Sequence, residues 1–275
     1  MASHNKPLKP AEQEFLRATV IRSIQISPNV VRVTIGGNEL RRFRPVGFDQ
    51  WFRLFITREG QETLHLSMTT GLTGYRQLLS MPMSTQPIMR NYSVRAFRPA
   101  ALELDIDFVL HDGGVASSWA GRVEHGRPVA ILDEGINYAP ATPPAWTLLV
   151  ADESGLPAIA GVLASLGPGT RGAAYIEVPG AADIQPVTAP DGVTVHWLTR
   201  DDPHAMPGVL SLSTVMNVEL PVEPDYSFLV GESSLVTGLR RHLVKKRNIS
   251  KSAISFCGYW RHPDTPAEND DSLET

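Results

Sequence analysis

The stretch RNYSVR at residues 90–95 places two arginines, a tyrosine and a serine in one short β-prone segment. Side chains alternate along a strand, so Arg90, Tyr92 and Val94 should share one face and the other three residues the opposite face. Neither face is an apolar stripe that would pack on a core. The segment is therefore either a solvated edge strand or a strand whose faces bind a charged, flat, partly apolar ligand.

Composition limits the classes of protein that this chain represents. Its 275 residues, 42% hydrophobic and 20% charged, are typical of a globular protein of roughly two domains. A net charge of -4 argues against nucleic acid as the main partner. The single cysteine, Cys257, excludes an intrachain disulfide, and the scattered histidines show no metal-ligand spacing. No run is apolar enough for membrane insertion, so we expect a cytoplasmic protein without a metal of its own.

The first half of the chain is rich in short β-prone runs separated by turns. Their Val, Ile, Phe and Thr content predicts an antiparallel barrel or sandwich, interrupted by one helix at 115–124. The predicted strands are VIRSIQIS (20–27), VVRVTIGG (30–37), WFRLFIT (51–57), YSVRAF (92–97) and LELDIDFVL (102–110).

The pattern changes after the proline-rich stretch INYAPATPPAW (136–146), which is typical of a linker. Apolar runs then alternate with helical segments, which predicts a parallel sheet covered on both faces. The strands are expected at 147–152, 173–178, 193–199, 226–232 and 253–260, and the helices at 156–166, 209–218 and 234–247. The polar residues 263–275 predict a disordered acidic tail.

A glycine-rich segment in the second half imitates a nucleotide-binding motif. GPGTRG (167–172) matches G-x-G-x-x-G, but a dinucleotide fingerprint must follow a strand and open a helix. This segment follows a helix and precedes a strand. We therefore interpret its glycines as a helix end and a turn.

The strand-to-helix turn of interest is VADESGLPAI (150–159). Asp152 and Glu153 end the first strand of the second half, at the edge where open α/β sheets bind ligands. The Ser154 hydroxyl is expected to cap the helix, with Pro157 in its first turn. The same residues also suit a helix N-terminus without any ligand.

Another unusual stretch is LELDIDFVLHDGGVASSWA (102–120). Asp105 and Asp107 share a strand face, and His111 precedes a glycine-opened helix that contains Ala116 and Ser117. A helix N-terminus with small residues favours a bound anion. A loop histidine without a ligand is the alternative for His111.

The C-terminal part carries two further candidate segments. SFCGYWRH (255–262) places aromatic residues at a strand end, where they either cover a flat cofactor ring or cap the core. RRHLVKKR (240–247) is either a solvated helix face or a phosphate-binding cluster. The residues alone leave both alternatives open.

In their order and spacing, these motifs resemble those of the siderophore-interacting proteins, flavin-dependent ferric-siderophore reductases of the ferredoxin reductase superfamily. The matching segments extend over most of residues 15–262 and are RNYSVR, DFVLHDGGVASSWA, VADESGLPAIAGVL, GESSLVTGLRRHLVKKR and FCGYWRH. The resemblance implies an N-terminal antiparallel β-barrel that binds FAD (12–137) and a linker (138–145). A parallel-sheet, NAD(P)-binding-like α/β domain (146–262) and the tail would follow.

The resemblance also implies roles for individual residues. Arg90 would pair with the FAD pyrophosphate, Tyr92 would pack on the isoalloxazine, and Ser93 would bond near its reactive nitrogen. The implied FAD-binding residues are Arg90, Tyr92, Ser93, Val94, Asp107, Val109, His111, Gly114, Ala116, Ser117 and Trp260. Those implied for NADH or NADPH are Asp152, Glu153, Arg200, Glu232, Arg240 and Cys257. Arg53 and Arg261 are the candidate substrate-binding cations.

The sequence departs from the family pattern at one segment that bears on substrate. Where members often carry a GPRG-like run, this chain has DEGINY (133–138), whose acidic residues speak against a basic pocket for anionic chelates. The implied function is release of iron by reduction of chelated Fe(III), with electrons from NAD(P)H passing through FAD. The alternatives are a flavin-dependent reductase of ferredoxin, a quinone or a small metabolite, and a non-catalytic siderophore- or flavin-binding protein.

Overall fold

The structure is a computed structural model that describes residues 7–67, 69–111, 113–202 and 204–263. It contains an antiparallel sheet of seven strands followed by a parallel sheet of five strands with helices on both faces. The predicted fold class is therefore confirmed. The predicted tail lies, from residue 264 onward, outside the described residues.

The first sheet has the spatial order β4-β3-β7-β1-β2-β6-β5. It carries two helices, α1 (Gly71–Ser80) and α2 (Val115–Ala120). Its strands are β1 (Phe15–Ser27), β2 (Val30–Gly36), β3 (Trp51–Ile56), β4 (Ile88–Ser93), β5 (Ala96–Arg98), β6 (Glu103–Val109) and β7 (Pro128–Gly135).

The two edge strands of this sheet, β4 and β5, are consecutive in the chain and are separated only by Val94 and Arg95. The Val94 N–H donates to Gln50 O beside β3 (2.8 Å), whereas the Arg95 N–H donates to Asp105 O on β6 (3.0 Å). These two residues cross from one edge of the curled sheet to the other. The predicted single strand over 92–97 was wrong, because the crossing divides it, and the described residues contain no ladder between β4 and β5.

The sequence did not predict two elements in the first half of the chain, a strand and a helix. β7 lies between β1 and β3, and α1 packs on the outer face of the sheet through Leu78. The helix predicted at 115–124 ends earlier, at Ala120, followed by Gly121 as its C-cap.

The second sheet has the order β10-β9-β8-β11-β12, so its order reverses between β8 and β11. In such sheets, ligands bind outside the carboxyl ends of the strands at this switch point. Its helices are α3 (Leu156–Ser165), α4 (Val209–Asn217) and α5 (Ser233–Lys246). The strands are β8 (Trp146–Ala151), β9 (Arg171–Val178), β10 (Val193–Thr199), β11 (Tyr226–Glu232) and β12 (Ile254–Trp260).

Both faces of the parallel sheet are buried. On β8, Leu149 packs in the cluster that contains α3, whereas Leu148 packs in the cluster that contains α5. GPGTRG lies where the sequence placed it, between the end of α3 and the start of β9. Within the described part of the chain, no helix has both the length and the apolar character needed to cross a bilayer.

Buried polar and aromatic contacts hold the two sheets against each other. Tyr138, the first residue of the predicted linker, is 2% exposed and stacks on Phe48 with 5.4 Å between ring centroids. The Asp183 carboxylate accepts hydrogen bonds from Ser27 Oγ (2.6 Å) and from the Asn29 N–H and side-chain amide. The exact boundaries 12–137, 138–145 and 146–262 remain a proposal.

Candidate functional site

The crossing segment presents an exposed cation beside a half-buried aromatic ring. Arg90 is exposed, and Nη1 donates to the neighbouring Met89 carbonyl (2.8 Å). The Tyr92 ring lies on Phe108 with 4.3 Å between centroids, and burial raises the pKa of its phenol. The strand thus holds an aromatic surface next to a guanidinium that projects into solvent.

Arg95, the second arginine of the segment, is half-buried and incompletely paired. Its Nε lies 3.4 Å from Asp107 Oδ2 but makes no hydrogen bond within the described residues. Burial is the main cause of a lowered Arg95 pKa. A desolvated guanidinium with an unmatched donor favours an anionic ligand. Sequence reasoning omitted Arg95 from the site, although the doubled arginine of RNYSVR was the available signal.

Asp107 is a structural partner of arginine in this structure. Its buried carboxylate accepts from Arg32 Nε (2.7 Å) and Arg32 Nη2 (2.8 Å). Val109, two residues further on, pairs with Val30 at the end of β6. A direct contact of Asp107 or Val109 with FAD stays a prediction. In the structure, the Asp107 carboxylate places a negative charge beside Arg95.

A cavity of about 510 Å³ opens beside α2. Ser117 accepts from the His111 N–H (3.0 Å), which fixes the loop before the helix. Gly114 lies under the His111 ring, where an added Cβ would be 2.4 Å from Cε1. Ala116 is buried in the core of the first sheet. The lining residues are Asn29, Leu110, His111, Ser117, Ser118, Gly121 and Arg122.

Asp152 is fully buried where β8 meets α3. Its Oδ1 accepts from Ser154 N (2.8 Å), Ser154 Oγ (2.5 Å) and Gly155 N (3.3 Å). The predicted cap by the Ser154 hydroxyl was wrong, because that hydroxyl donates to Asp152 and the Asp152 carboxylate binds the amides instead. Burial, together with the Glu153 carboxylate, raises the pKa of Asp152 to about 6.

Glu153 and Arg200 form a buried ion-pair network. Arg200 binds Glu153 through both terminal nitrogens (2.8 and 2.7 Å) and also lies 2.8 Å from Glu177. Glu177 in turn accepts from the Gly208 and Ser211 N–H groups at the start of α4. The Arg200 side chain is only 6% exposed, so its guanidinium is committed to these carboxylates. Its contact with a dinucleotide stays a prediction.

The remaining predicted dinucleotide residues have partners of their own. Glu232 caps α5 by accepting from the Ser234 and Leu235 N–H groups. Arg240 lies over the Phe256 ring, 4.7 Å from its centroid. Burial raises the pKa of the Cys257 thiol, which makes the thiol less reactive at neutral pH.

β12 contacts both the turn after β8 and the crossing segment. Trp260 Nε1 donates to Asp152 Oδ2 (3.1 Å), and the Tyr259 side chain hydrogen-bonds with Ser93. Ser93 is 9% exposed and Tyr259 has a pKa raised by burial. The predicted flavin residues of the first sheet therefore lie next to the predicted nicotinamide end of the second.

A second cavity, of about 460 Å³, lies between α1 and the outer face of the first sheet. Arg53 lines it, and its Nε is 2.8 Å from Glu134 Oε1. Arg261, the other predicted substrate-binding cation, is exposed beyond β12 and does not line this cavity. No group of three or more His, Cys, Asp or Glu residues suited to a metal occurs in the described ranges.

The curled antiparallel sheet, the crossing arginines and the parallel sheet define the ferredoxin reductase-like class of two-sheet proteins. A ferredoxin reductase of carbazole 1,9a-dioxygenase shares the fold (TM-score 0.62, 14% identity, 91% of this chain and 71% of that one). Residues 19–137 match the siderophore-interacting FAD-binding domain, and residues 144–263 match the siderophore-interacting protein model. The chain belongs to the siderophore-interacting protein family.

Individual relatives extend over nearly the whole chain. An uncharacterized protein of Mycobacterium tuberculosis is 33% identical over 90% of both chains. An NADPH-dependent ferric-chelate reductase of Escherichia coli is 26% identical over 90% of this chain and 92% of that protein. The crystal structure of a siderophore utilization protein from T. fusca has a TM-score of 0.78 and 27% identity, covering 94% of this chain and 97% of that one.

Proposed function

We propose that this protein is an FAD-dependent reductase that releases iron from ferric siderophores, with NADH or NADPH as electron donor, in the cytoplasm. The observation that carries the proposal is the crossing segment. It combines the exposed Arg90 guanidinium, the incompletely paired Arg95 and the Tyr92 ring, and the same half of the chain contains the cavity at His111 and Ser117. Membership in the siderophore-interacting family supports it.

The residues present fit FAD chemically. A diphosphate needs charge-assisted donors, which the exposed Arg90 guanidinium supplies, and the half-buried Arg95 adds a second positive charge in the same segment. An isoalloxazine needs an aromatic surface and a nearby hydroxyl, which Tyr92 and Ser93 supply. Gly114 lets the His111 ring lie directly against the backbone at the start of α2, where a Cβ would collide with the ring.

FAD held by these residues would supply the redox chemistry, since a flavin can take up a hydride and pass its electrons on singly. The balanced reaction is NAD(P)H plus two chelated Fe(III), giving NAD(P)⁺, a proton and two Fe(II). Arg90 and Arg95 would hold the cofactor, and Tyr259 and Trp260 would exclude water from it. It needs no nucleophile of its own, in agreement with the raised pKa of Cys257.

A reductase acting on a small uncharged acceptor, such as a quinone, is the second candidate. The Arg53–Glu134 ion pair favours this candidate. In the cavity that Arg53 lines, the Glu134 carboxylate balances the positive charge that would attract an anionic chelate. Steady-state assays that compare ferric chelates with quinones test the choice. A ferric chelate should give the higher kcat/KM, and a quinone preference would support the second candidate.

A further inference from the structure

The cavity between α1 and the outer face of the first sheet is lined by a carboxylate and a guanidinium that form an ion pair. Glu134 is 4% exposed, and its Oε1 lies 2.8 Å from Arg53 Nε. Its Oε2 accepts from the Gln13 side-chain amide at 3.1 Å. Both carboxylate oxygens are thus held in place. At distances beyond their separation, the two opposite charges largely cancel.

A β-bulge sets the position of Glu134. Trp51 pairs with Gly135 and Phe52 pairs with Asp133, so Glu134 is the extra residue between two ladder positions. Bulges of this kind redirect side chains next to functional sites. Gly135 has a φ of 83°, and Leu8 O lies where its Cβ would be, so the N-terminal segment holds the bulge from outside.

Arg53 keeps donors for a guest despite its ion pair. Its Nε faces Glu134, and its side chain is 31% exposed along the cavity wall. The two terminal nitrogens can donate to neutral oxygen acceptors in the cavity. Lys9 also lines the cavity, but it is exposed, so its attraction for an anion is screened within about 8 Å at physiological salt.

The rest of the wall combines apolar side chains with the neutral polar residues Thr69, Thr70 and Asn91. Phe15 and Phe55 meet edge to face with 5.3 Å between centroids, and Leu132 and Met89 lie beside them. A volume of about 460 Å³ is within the range of small-molecule sites. Such a cavity suits a guest with aliphatic segments and neutral oxygen acceptors.

The cavity is also adjacent to the proposed flavin site. Asn91 lines it and is followed in β4 by Tyr92, about 3.3 Å further along the strand. Arg53 pairs with Asn91 in the ladder, and Phe52 pairs with Tyr92. Because neighbouring residues of a strand face opposite sides, a guest in the cavity would lie on the other side of β4 from the Tyr92 ring, with only the strand between them.

From these contacts we propose, resting on the reductase function above, that the cavity binds uncharged ferric hydroxamates and that Glu134 determines this specificity against trianionic ferric catecholates. A trihydroxamate chelate of a trivalent metal is neutral and carries oxygen acceptors on aliphatic linkers. A tricatecholate chelate carries three negative charges, which the Glu134 carboxylate repels while cancelling the attraction of Arg53.

Binding of redox-inert gallium(III) chelates to the FAD-loaded protein tests this specificity apart from electron transfer. A gallium(III) trihydroxamate should bind the wild type more tightly than a gallium(III) tricatecholate. Glu134→Gln should shift the ratio of the two Kd values toward the tricatecholate by about tenfold, the effect of one charge on a trianion about 8 Å away in a water-like dielectric. Glu219→Gln, an exposed change of the same net charge in the second sheet's half, should leave the ratio unchanged.

The salt dependence of binding to the wild-type protein is a second test, and it needs no substitution. Raising the salt from about 0.05 to about 0.5 M should leave the trihydroxamate Kd unchanged within about twofold, because a neutral guest has little long-range attraction to screen. Tighter wild-type binding of the tricatecholate, a Glu134→Gln ratio within twofold of wild type, or a strongly salt-dependent trihydroxamate Kd would each overturn the assignment.

Failure of this inference and failure of the reductase function have different signatures. If the gallium trihydroxamate binds as expected but its iron(III) counterpart is not reduced by the dithionite-reduced flavoprotein, the reductase function fails and the cavity assignment stands. If iron(III) chelates are reduced but the tricatecholate binds more tightly, the function stands and the cavity assignment fails.

Discussion

Trp260 donates its indole N–H to Asp152 across 3.1 Å, although 108 residues separate them in the chain. The bond joins the end of β12 to the turn after β8. Gly231, with a φ of 129°, lies beneath the carboxylate, where a Cβ would be 2.7 Å from Cγ. This corner of the parallel sheet is therefore built around one buried carboxyl group.

That carboxyl group should make folding stability depend on pH. Burial and Glu153 raise the pKa of Asp152 to about 6, above its unfolded value of about 3.9. The folded state holds the proton more tightly, so the stabilisation is complete below about pH 4 and is lost as the pH rises through about 6. The contribution to the free energy of unfolding is about 3 kcal/mol at most.

Trp260 gives a direct readout of this titration. The pH-dependent part of the tryptophan fluorescence should have a midpoint near pH 6 in the wild type and should disappear in Trp260→Phe. Trp146→Phe, which alters a tryptophan elsewhere in the same sheet, serves as the control. A midpoint below pH 4.5 in the wild type would contradict the raised pKa.

Arg90→Ala should weaken FAD binding by about 10- to 100-fold, since a charge-assisted hydrogen bond is worth about 1.5–3 kcal/mol. Titration of the apoprotein with FAD, followed by flavin fluorescence, measures the change. Arg41→Ala removes an exposed arginine from the same half of the chain and should leave the FAD Kd unchanged. Equal affinities for all three proteins would exclude Arg90 from the cofactor site.

Tyr92 should act through its ring rather than its hydroxyl. Tyr92→Ala removes the aromatic surface on Phe108 and should raise the FAD Kd about tenfold, whereas Tyr92→Phe should stay within about threefold of wild type. Loss of flavin fluorescence quenching should follow the ring in the same way. If Tyr92→Phe behaves like Tyr92→Ala, ring packing is not the interaction that matters.

Arg200 should contribute to stability more than to coenzyme binding. Arg200→Met leaves the buried Glu153 and Glu177 carboxylates unpaired, which should lower the free energy of unfolding by about 3–5 kcal/mol in urea titrations. Arg171→Met, an exposed change in β9, should cost less than about 0.5 kcal/mol. A stable Arg200→Met variant with a raised KM for NADPH alone would instead place the guanidinium at the coenzyme phosphate.

Local patterns predicted much of the fold. The run 226–232 was predicted with the bounds that β11 has, because a buried parallel strand reads as continuous apolar sequence between polar turns. β7 and α1 were missed, since neither has a strong start signal and both depend on packing against β3. The break within YSVRAF could not be predicted, because it arises where the chain crosses from one edge of the curled sheet to the other.

The sequence identified individual residues of the candidate site but not the ion pairs that they form. Asp152 and Glu153 were correctly placed at the carboxyl edge of the sheet from the strand-to-helix turn. Arg200 was assigned to a coenzyme, yet its partners Glu153 and Glu177 lie 47 and 23 residues away along the chain. No local pattern reveals such an ion pair. The sequence marked Glu134 only as an acidic residue where the family pattern differs. Its contact with Arg53 could not be predicted, because it depends on the register in which β3 pairs with β7.

The most direct test of the central claim follows electrons from bound FAD to chelated iron. The purified protein, loaded with FAD and reduced anaerobically by NADH or NADPH, is mixed with an iron(III) trihydroxamate and an Fe(II)-specific chelator. We predict that the oxidised-flavin absorbance returns as about two Fe(II) form for each FAD, since FAD yields two electrons and Fe(III) takes one. A flavin that stays reduced while no Fe(II) appears, or a protein that takes up no FAD, would contradict the account.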